Sequence, residues 1–301
     1  MKILLTGANG LLGQKLVALL APKKEIDLIA TSRGENRITG IADTFTYHPL
    51  DITQAAEVEE VISRYQPDVI INTAAMTNVD QCEQAHEACW ALNVNAVQYL
   101  LEAAEKTDSF FLHLSTDFIF AGDQGPLRED AVPAPVNFYG ESKLQAEQLV
   151  QDSRVKHAIA RTVLVYGITP NMSRSNIILW VKNNLEQGKP IQVVDDQWRT
   201  PTLAEDLAMG CYLMAQKQAE GIFHISGEEM LTPYDMAMYT TDYFDLDKSL
   251  ITKTDSTKFT QPARRPPKTG FIIEKAKQQL GYRPHSFREG ISILDRQMQA
   301  L

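Results

Sequence analysis

Short apolar runs rich in Val, Ile and Leu alternate with longer amphipathic stretches through the first half of the chain. Lys2–Thr6 (KILLT) reads as a buried strand and Leu11–Leu20 as the helix after it, stopped near Pro22. Ile26–Thr31 and Phe45–Leu50 read as second and third strands, followed by a helix from Gln54 to Tyr65 that ends before Pro67. Asp68–Ala75 (DVIINTAA) is the expected fourth strand. A long helical region, Val79 to Lys106, then precedes a fifth strand at Phe110–Ser115. Asp123–Pro135, rich in Gly, Pro and acid, reads as a loop. A helix from about Phe138 to Gln151 leads to a sixth strand, His157–Tyr166. Strands alternating with helices imply βαβ units, hence an α/β fold of the Rossmann type: a doubly wound parallel sheet with helices on both faces. There is no internal repeat and no low-complexity segment.

After Gly167 the alternation loosens. Ser175–Gln187 and Thr202–Gln218 read as helices and Ile191–Val194 as extended chain. Gly221–Ser226 (GIFHIS) is a buried strand that could rejoin the main sheet. Leu231–Leu301 has helical patterns at both ends around an irregular basic stretch, QPARRPPK. The expected organisation is a main domain of residues 1–167 plus about 201–227, with a smaller discontinuous α/β lobe of about 168–200 and 228–301. Ligands of open parallel sheets bind beyond the carboxyl ends of the strands. The lobe is therefore expected to close over that edge and hold substrate.

Composition narrows the function classes. The 301 residues carry 29 basic and 38 acidic side chains, a net charge of −9, which argues against nucleic acid as a partner. It leaves room for an acidic ligand held by a few local arginines. With 44% hydrophobic and 22% charged residues the chain has the make-up of a folded globular protein. No apolar run reaches the ~18 residues needed to span a bilayer, so no membrane association is expected. MKILLTGANG turns to glycines too early for a secretory signal, and a cytoplasmic location follows as the expectation. Cys82, Cys89 and Cys211 form no CxxC pair and read as buried free thiols. Cys82 and Cys89, seven apart, share a helix face. The six histidines show no metal spacing, so no metal is expected; His113 reads as a strand residue packed on a helix.

The first strand runs directly into Gly7-Ala8-Asn9-Gly10-Leu11-Leu12-Gly13, a GxxGxxG string that opens the first helix. Gly7 allows the tight turn, Gly10 lets a pyrophosphate approach the backbone, and Gly13 lets helix and sheet pack closely. That context predicts a dinucleotide cofactor. Folds that select NAD place an acid at the end of the second strand to hold the ribose 2′-hydroxyl. Here the stretch is Thr31-Ser32-Arg33-Gly34, and Arg33 can offer paired donors to a 2′-phosphate. The expected cofactor is therefore NADPH, with NADH the alternative; the competing reading of Arg33 and Arg37 is as solvated loop charges. Asp51, ending the third strand, suits either the adenine amino group or the N-cap of the next helix. Ala74 and Ala75 end the fourth strand in small residues, which suits either a nucleotide lying across the edge or plain close packing.

Tyr139-Gly140-Glu141-Ser142-Lys143 carries the catalytic signal. Tyr139 and Lys143 are four apart at a helix start and share one face. An ammonium beside a phenol favours the phenolate and lowers its pKa from ~10 towards the working range. Such a tyrosine can protonate a carbonyl oxygen while a nicotinamide delivers hydride to the carbon. Leu114-Ser115-Thr116-Asp117 ends the fifth strand, where the hydroxyl of Thr116 or Ser115 could orient that carbonyl.

With these residues in place the chain resembles an extended short-chain dehydrogenase/reductase, and more narrowly the dTDP-4-dehydrorhamnose reductase family. The resemblance is carried by GANGLLGQ (7–14), NTAAMTNVDQCE (72–83), LSTDFIFAG (114–122), NFYGESKLQAE (137–147), RTVLVYG (161–167), DQWRTPTLAEDLA (196–208) and ARRP (263–266), in matching order. It implies hydride transfer from NADPH or NADH to the C4 ketone of a nucleotide-linked deoxysugar. Carried over, Thr116, Tyr139 and Lys143 form the catalytic triad, with Tyr139 as general acid and Lys143 also holding the nicotinamide ribose. Gly7, Asn9, Gly10, Leu12 and Gly13 line the pyrophosphate, Asp51 meets the adenine, and Ala74 and Ala75 pack near the cofactor.

Two departures touch the substrate side. Leu164 stands where the family often has Trp, and Arg199 where DQxGxPT has Gly, which leaves room for a different nucleotide sugar. Asp117, Asn176, Arg199, Arg264 and Arg265 are the candidate substrate contacts, each with a structural alternative: a loop cap for Asp117, a solvated basic turn for the arginines. Two other functions stay open. One is a sugar-nucleotide epimerase or dehydratase, which would call for an acid near Arg33. The other is a non-catalytic NADP-binding subunit like the β subunit of methionine adenosyltransferase. A homodimer is compatible with all three.

Overall fold

A computed structural model describes residues 1–41, 44–170, 175–259 and 261–300. The first half forms β1 (Lys2–Thr6), α1 (Leu11–Leu20), β2 (Asp27–Ser32), β3 (Thr46–Pro49), α2 (Ala55–Tyr65), β4 (Val69–Asn72), α3 (Val79–Gln84), α4 (His86–Trp90), α5 (Ala96–Thr107), β5 (Phe110–Thr116), α6 (Phe138–Asp152) and β6 (His157–Thr162). There follow β7 (Val165–Tyr166), α7 (Ile177–Glu186), β8 (Ile191–Val194), β9 (Thr202–Leu203), α8 (Ala204–Lys217), β10 (Gly221–His224), α9 (Pro233–Phe244), β11 (Ile251–Thr254), α10 (Glu274–Leu280) and α11 (Phe287–Ala300).

Seven parallel strands make the central sheet in the order β10-β6-β5-β4-β1-β2-β3. The strand order reverses between β1 and β4, so the Rossmann crevice opens there. Side chains alternate across the sheet. Ile3 and Leu5 join Leu16, Val17, Leu207 and Met214 in the core beneath α1 and α8. Leu4, Ile70 and Phe111 join Val58, Leu100 and Val150 in the core on the opposite face. Ile273, Ala276, Leu280 and Tyr282, in and around α10, also pack into the first core. Elsewhere α7 and α9 enclose Val181, Leu185 and Ala237 beside the small β8–β11 sheet. Among the described residues no helix is long and apolar enough to cross a membrane.

Three elements differ from the sequence pattern. The region from Val79 to Lys106 is not one helix: it breaks at Ala85 and passes through a π-helical turn, Ala91–Asn95, before α5. Buried Asn93 in that turn bonds Met76 N at 2.8 Å, Met76 O at 3.1 Å and Ser142 Oγ at 3.0 Å, and these bonds outweigh helical regularity. The strand expected over His157–Tyr166 ends at Thr162, because Leu164 takes a positive φ of 38° and turns β7 out to pair with β9. The fourth strand ends at Asn72, and Thr73 leaves the sheet with its hydroxyl on Thr6 O at 2.7 Å.

Candidate active site

The glycine turn forms the floor at the switch point. Gly7 has φ +68°, and a Cβ on Gly13 would lie 2.2 Å from Gly7 O, so only glycine lets α1 start this close to β1. Helix α1 begins at Gly10 without a side-chain cap and with no acid in its first turn. Such an end presents unpaired N–H groups and the positive pole of the helix dipole to an anion.

A cleft of about 220 Å³ lies above it, lined by Gly7, Gly10, Arg33, Asp51, Ala74 and Ala75 among others. Arg33 is exposed at its rim. Asp51 is not an N-cap: Gln54 holds that position for α2, and Asp51 Oδ1 accepts from Thr53 N at 3.0 Å and Thr53 Oγ1 at 2.7 Å. Asn9 is turned to another task. Its amide donates to Glu35 O at 2.9 Å and accepts from Arg37 N at 2.9 Å, which ties the loop after β2 to the turn. Leu12 packs its side chain against the core, leaving its backbone as the part near an anion. A free helix end, a Cβ-less approach at Gly10 and small residues at the end of β4 fit a dinucleotide.

Thr116 and Tyr139 meet two strands further along the same edge. Asn137 caps α6 by accepting from Gly140 N at 2.8 Å. A Cβ on Gly140 would lie 2.2 Å from Phe118 O, so glycine allows α6 to seat directly on the turn after Thr116. Tyr139 is thereby buried against Phe118, Cys82 and Cys89, its hydroxyl partnered by Thr116. Thr116 Oγ1 donates to Asp117 Oδ1 at 3.1 Å and accepts from Phe118 N at 3.2 Å.

Lys143 departs from the expected arrangement. It is 3% exposed, and Nζ donates to Leu114 O at 2.6 Å and lies 3.1 Å from His113 Nε2. Its nitrogen is drawn to β5 rather than to the phenol. Burial lowers its pKa to about 8, partly offset by Glu147, while burial raises that of Tyr139 above its ordinary value. In this arrangement Lys143 does not lower the pKa of Tyr139; desolvation dominates and the phenol stays protonated.

Four of the five candidate substrate contacts have their polar atoms committed inside the protein. Arg199, 5% exposed, donates to Trp198 O at 2.8 Å, Pro267 O at 3.2 Å and Pro266 O at 2.6 Å, with Nε 3.6 Å from Asp117 Oδ2. Asp117 also accepts from Thr269 Oγ1. Arg265 grips Asp80 through two bonds of 2.7 Å and holds its carboxyl below the usual range. Asn176 caps α7 and donates to Gly167 O at 2.8 Å. Arg264 alone is exposed, and its carbonyl accepts from Asn137 Nδ2 at 2.7 Å. The ARRPPK stretch is thus stitched to α3, to the start of α6 and to Arg199, forming a wall beside Thr116. Sequence reasoning gave no site role to Asn72, Asn93 or His113. The available signal was a lone imidazole in the otherwise apolar run FFLHL.

The switch-point cleft, the glycine turn and the hydroxyl–phenol–ammonium set along one edge define a short-chain dehydrogenase/reductase. Residues 1–299 match the RmlD substrate binding domain. The chain belongs to the dTDP-4-dehydrorhamnose reductase family. It is 31% identical to a dTDP-4-dehydrorhamnose reductase of Aggregatibacter actinomycetemcomitans over 96% of this chain and 97% of that protein. It is 32% identical to the methionine adenosyltransferase 2 subunit beta of Xenopus tropicalis over 82% of this chain and 73% of that one. A dTDP-4-dehydrorhamnose reductase of Bacillus anthracis, solved in complex with NADP, superposes with a TM-score of 0.84 at 26% identity, covering 98% and 99% of the two chains.

Proposed function

We propose that the protein is an NADPH-dependent reductase of a 4-keto nucleotide sugar. The observation that carries this reading is the placement of Thr116, Tyr139 and Lys143 on the sheet edge that also bears the Gly7–Gly13 turn. Bound reduced nicotinamide supplies the hydride. Tyr139, kept protonated by burial, gives its proton to the ketone oxygen as charge develops there. Thr116 has one proton to place. While it points at Asp117 it can only accept from Tyr139; turned away, it donates to the substrate carbonyl or to the new phenolate. Lys143, protonated at neutral pH, would hold the cofactor ribose, and from its seat on β5 its charge would favour the phenolate left behind. Arg33 at the rim would receive a 2′-phosphate, Asp51 would meet the adenine, and Arg264, exposed on the wall, would meet a sugar diphosphate. Asp117, Arg199 and Arg265 shape that wall, while Asn176 caps α7.

The likeness to the methionine adenosyltransferase subunit favours one second reading, a non-catalytic NADP-binding subunit. Oxidation of NADPH in the presence of dTDP-, UDP- and GDP-linked 4-keto-6-deoxysugars separates them. The reductase reading expects turnover with at least one and none without sugar. Tight NADPH binding with no turnover on the whole panel would overturn it in favour of the subunit.

A further inference from the structure

We propose that His113 is the positioning residue of Lys143, the last link of a buried chain Thr6–Asn72–His113–Lys143 that sets where the lysine nitrogen lies and whether it is charged. This rests on the role given to Lys143 above. The chain crosses three neighbouring strands, β1, β4 and β5, and ends on α6. Thr6 Oγ1 donates to Asn72 Oδ1 at 2.6 Å, Asn72 Nδ2 lies 3.3 Å from His113 Nδ1, and His113 Nε2 lies 3.1 Å from Lys143 Nζ. Thr6, Asn72, His113 and Lys143 are 0%, 1%, 1% and 3% exposed. Polar groups placed this deep in a sheet survive only when each is paired.

The polarity of the chain is tied to the charge of the lysine. In the orientation shown, Asn72 Nδ2 donates to Nδ1, so the ring proton sits on Nε2 and points at Nζ. An ammonium has no lone pair to receive it. This arrangement therefore matches a neutral amine, which accepts from Nε2 and still donates to Leu114 O. When Nζ takes a proton from solvent, Nε2 must accept instead. The ring proton then sits on Nδ1, and the Asn72 amide turns over to receive it on Oδ1. His113 stays neutral in both states, since burial and Lys143 both oppose its charging. The other groups facing this region are Glu147, clamped by Arg161 of β6, Cys89 of α4, and, on the Tyr139 side, Cys82 and the Asp117–Arg199 pair. None of these supplies a neutral acceptor that can reverse its polarity; His113 does.

The test compares wild type, His113→Phe, His113→Gln and Asn72→Leu. NADPH Kd by fluorescence and kcat/KM with the keto sugar are both followed from pH 6 to 10, and folding is checked by circular dichroism. In wild type both quantities are expected to worsen above a limb near pH 8. His113→Phe removes the acceptor for the ammonium and should move the limb down by about one pH unit. His113→Gln, with an amide that can accept or donate, should restore most of it. Asn72→Leu, which strands the Nδ1 proton, should move it the same way as His113→Phe and covers the case in which that variant does not fold. A wild-type profile without a limb, or coincident limbs in folded variants, overturns the proposal. If no keto sugar is turned over, the reductase reading fails, while Kd against pH still decides the role of His113.

Discussion

Replacing Arg199 by methionine keeps the length of the stem but deletes every donor. The loss is large because the guanidinium is 5% exposed and holds the backbone carbonyls of Trp198, Pro266 and Pro267, while its Nε stands 3.6 Å from Asp117. Asp117, 2% exposed, would lose its cation and keep the hydroxyls of Thr116 and Thr269 and a bond from its own backbone. Removing one member of a buried pair costs about 3–5 kcal/mol, mostly through the charge left behind. Urea unfolding at pH 8 should show that loss with m unchanged. The pH dependence has a definite sign. Burial raises the pKa of Asp117 and Arg199 opposes the rise, so without Arg199 the carboxyl shifts further up. A folded-state pKa above the unfolded one gives stability that is present at low pH and lost as pH rises. The variant should therefore lose less at pH 5 than at pH 8, and adding Asp117→Asn should recover part of the deficit at pH 8. A loss below about 1 kcal/mol, or one independent of pH, would refute the assignment of Arg199 as a buried structural latch.

Other outcomes follow from the same geometry. Arg33→Ala should lower kcat/KM for NADPH by about ten- to a hundredfold, the worth of a charge-assisted contact, and leave NADH unchanged; equal losses with both cofactors would show that Arg33 does not read the 2′-phosphate. Gly13→Ala puts a methyl 2.2 Å from Gly7 O and must displace the turn, so a loss of about 1–3 kcal/mol in unfolding should accompany weaker NADPH binding. Lys143→Met should stabilise the ligand-free protein most below pH 8. Folding depresses the lysine pKa from 10.5 to about 8, so the penalty of burying its charge is full below pH 8 and fades towards 10.5. Thermal unfolding of both proteins across that window checks the sign.

The strand–helix alternation of the first half was legible because burial on both faces of a parallel sheet writes continuous apolar runs, such as KILLT and FFLHL, between amphipathic helices. The π-helical turn at Asn93 and the reversal at Leu164 were not, because both depend on partners, Met76 with Ser142 and β9 respectively, that lie far off in sequence. For the site, spacing put Tyr139 and Lys143 on one helix face but could not say that Nζ reaches Leu114 O. The arginines show the same limit more sharply. Sequence marks Arg199 and Arg265 as cations near a ligand edge, but only the fold reveals that proline carbonyls and Asp80 already occupy their donors. His113 was read as a strand residue packed on a helix; the fold shows its partners to be Asn72, opposite it on the neighbouring strand β4, and Lys143 on α6.

The central claim is that this sheet edge carries hydride to a sugar ketone and that Tyr139 supplies the accompanying proton. Its most direct test is isotope transfer: NADPH carrying deuterium at both positions of nicotinamide C4 is incubated with each of the dTDP-, UDP- and GDP-linked 4-keto-6-deoxysugars, and the sugar product is analysed by mass spectrometry and NMR. Wild type should place one deuterium on sugar C4, and Tyr139→Phe should do so at a rate lower by about 10²–10⁴ while still binding NADPH. Recovery of unlabelled sugar with wild type across the whole panel, or equal labelling by Tyr139→Phe, would contradict it.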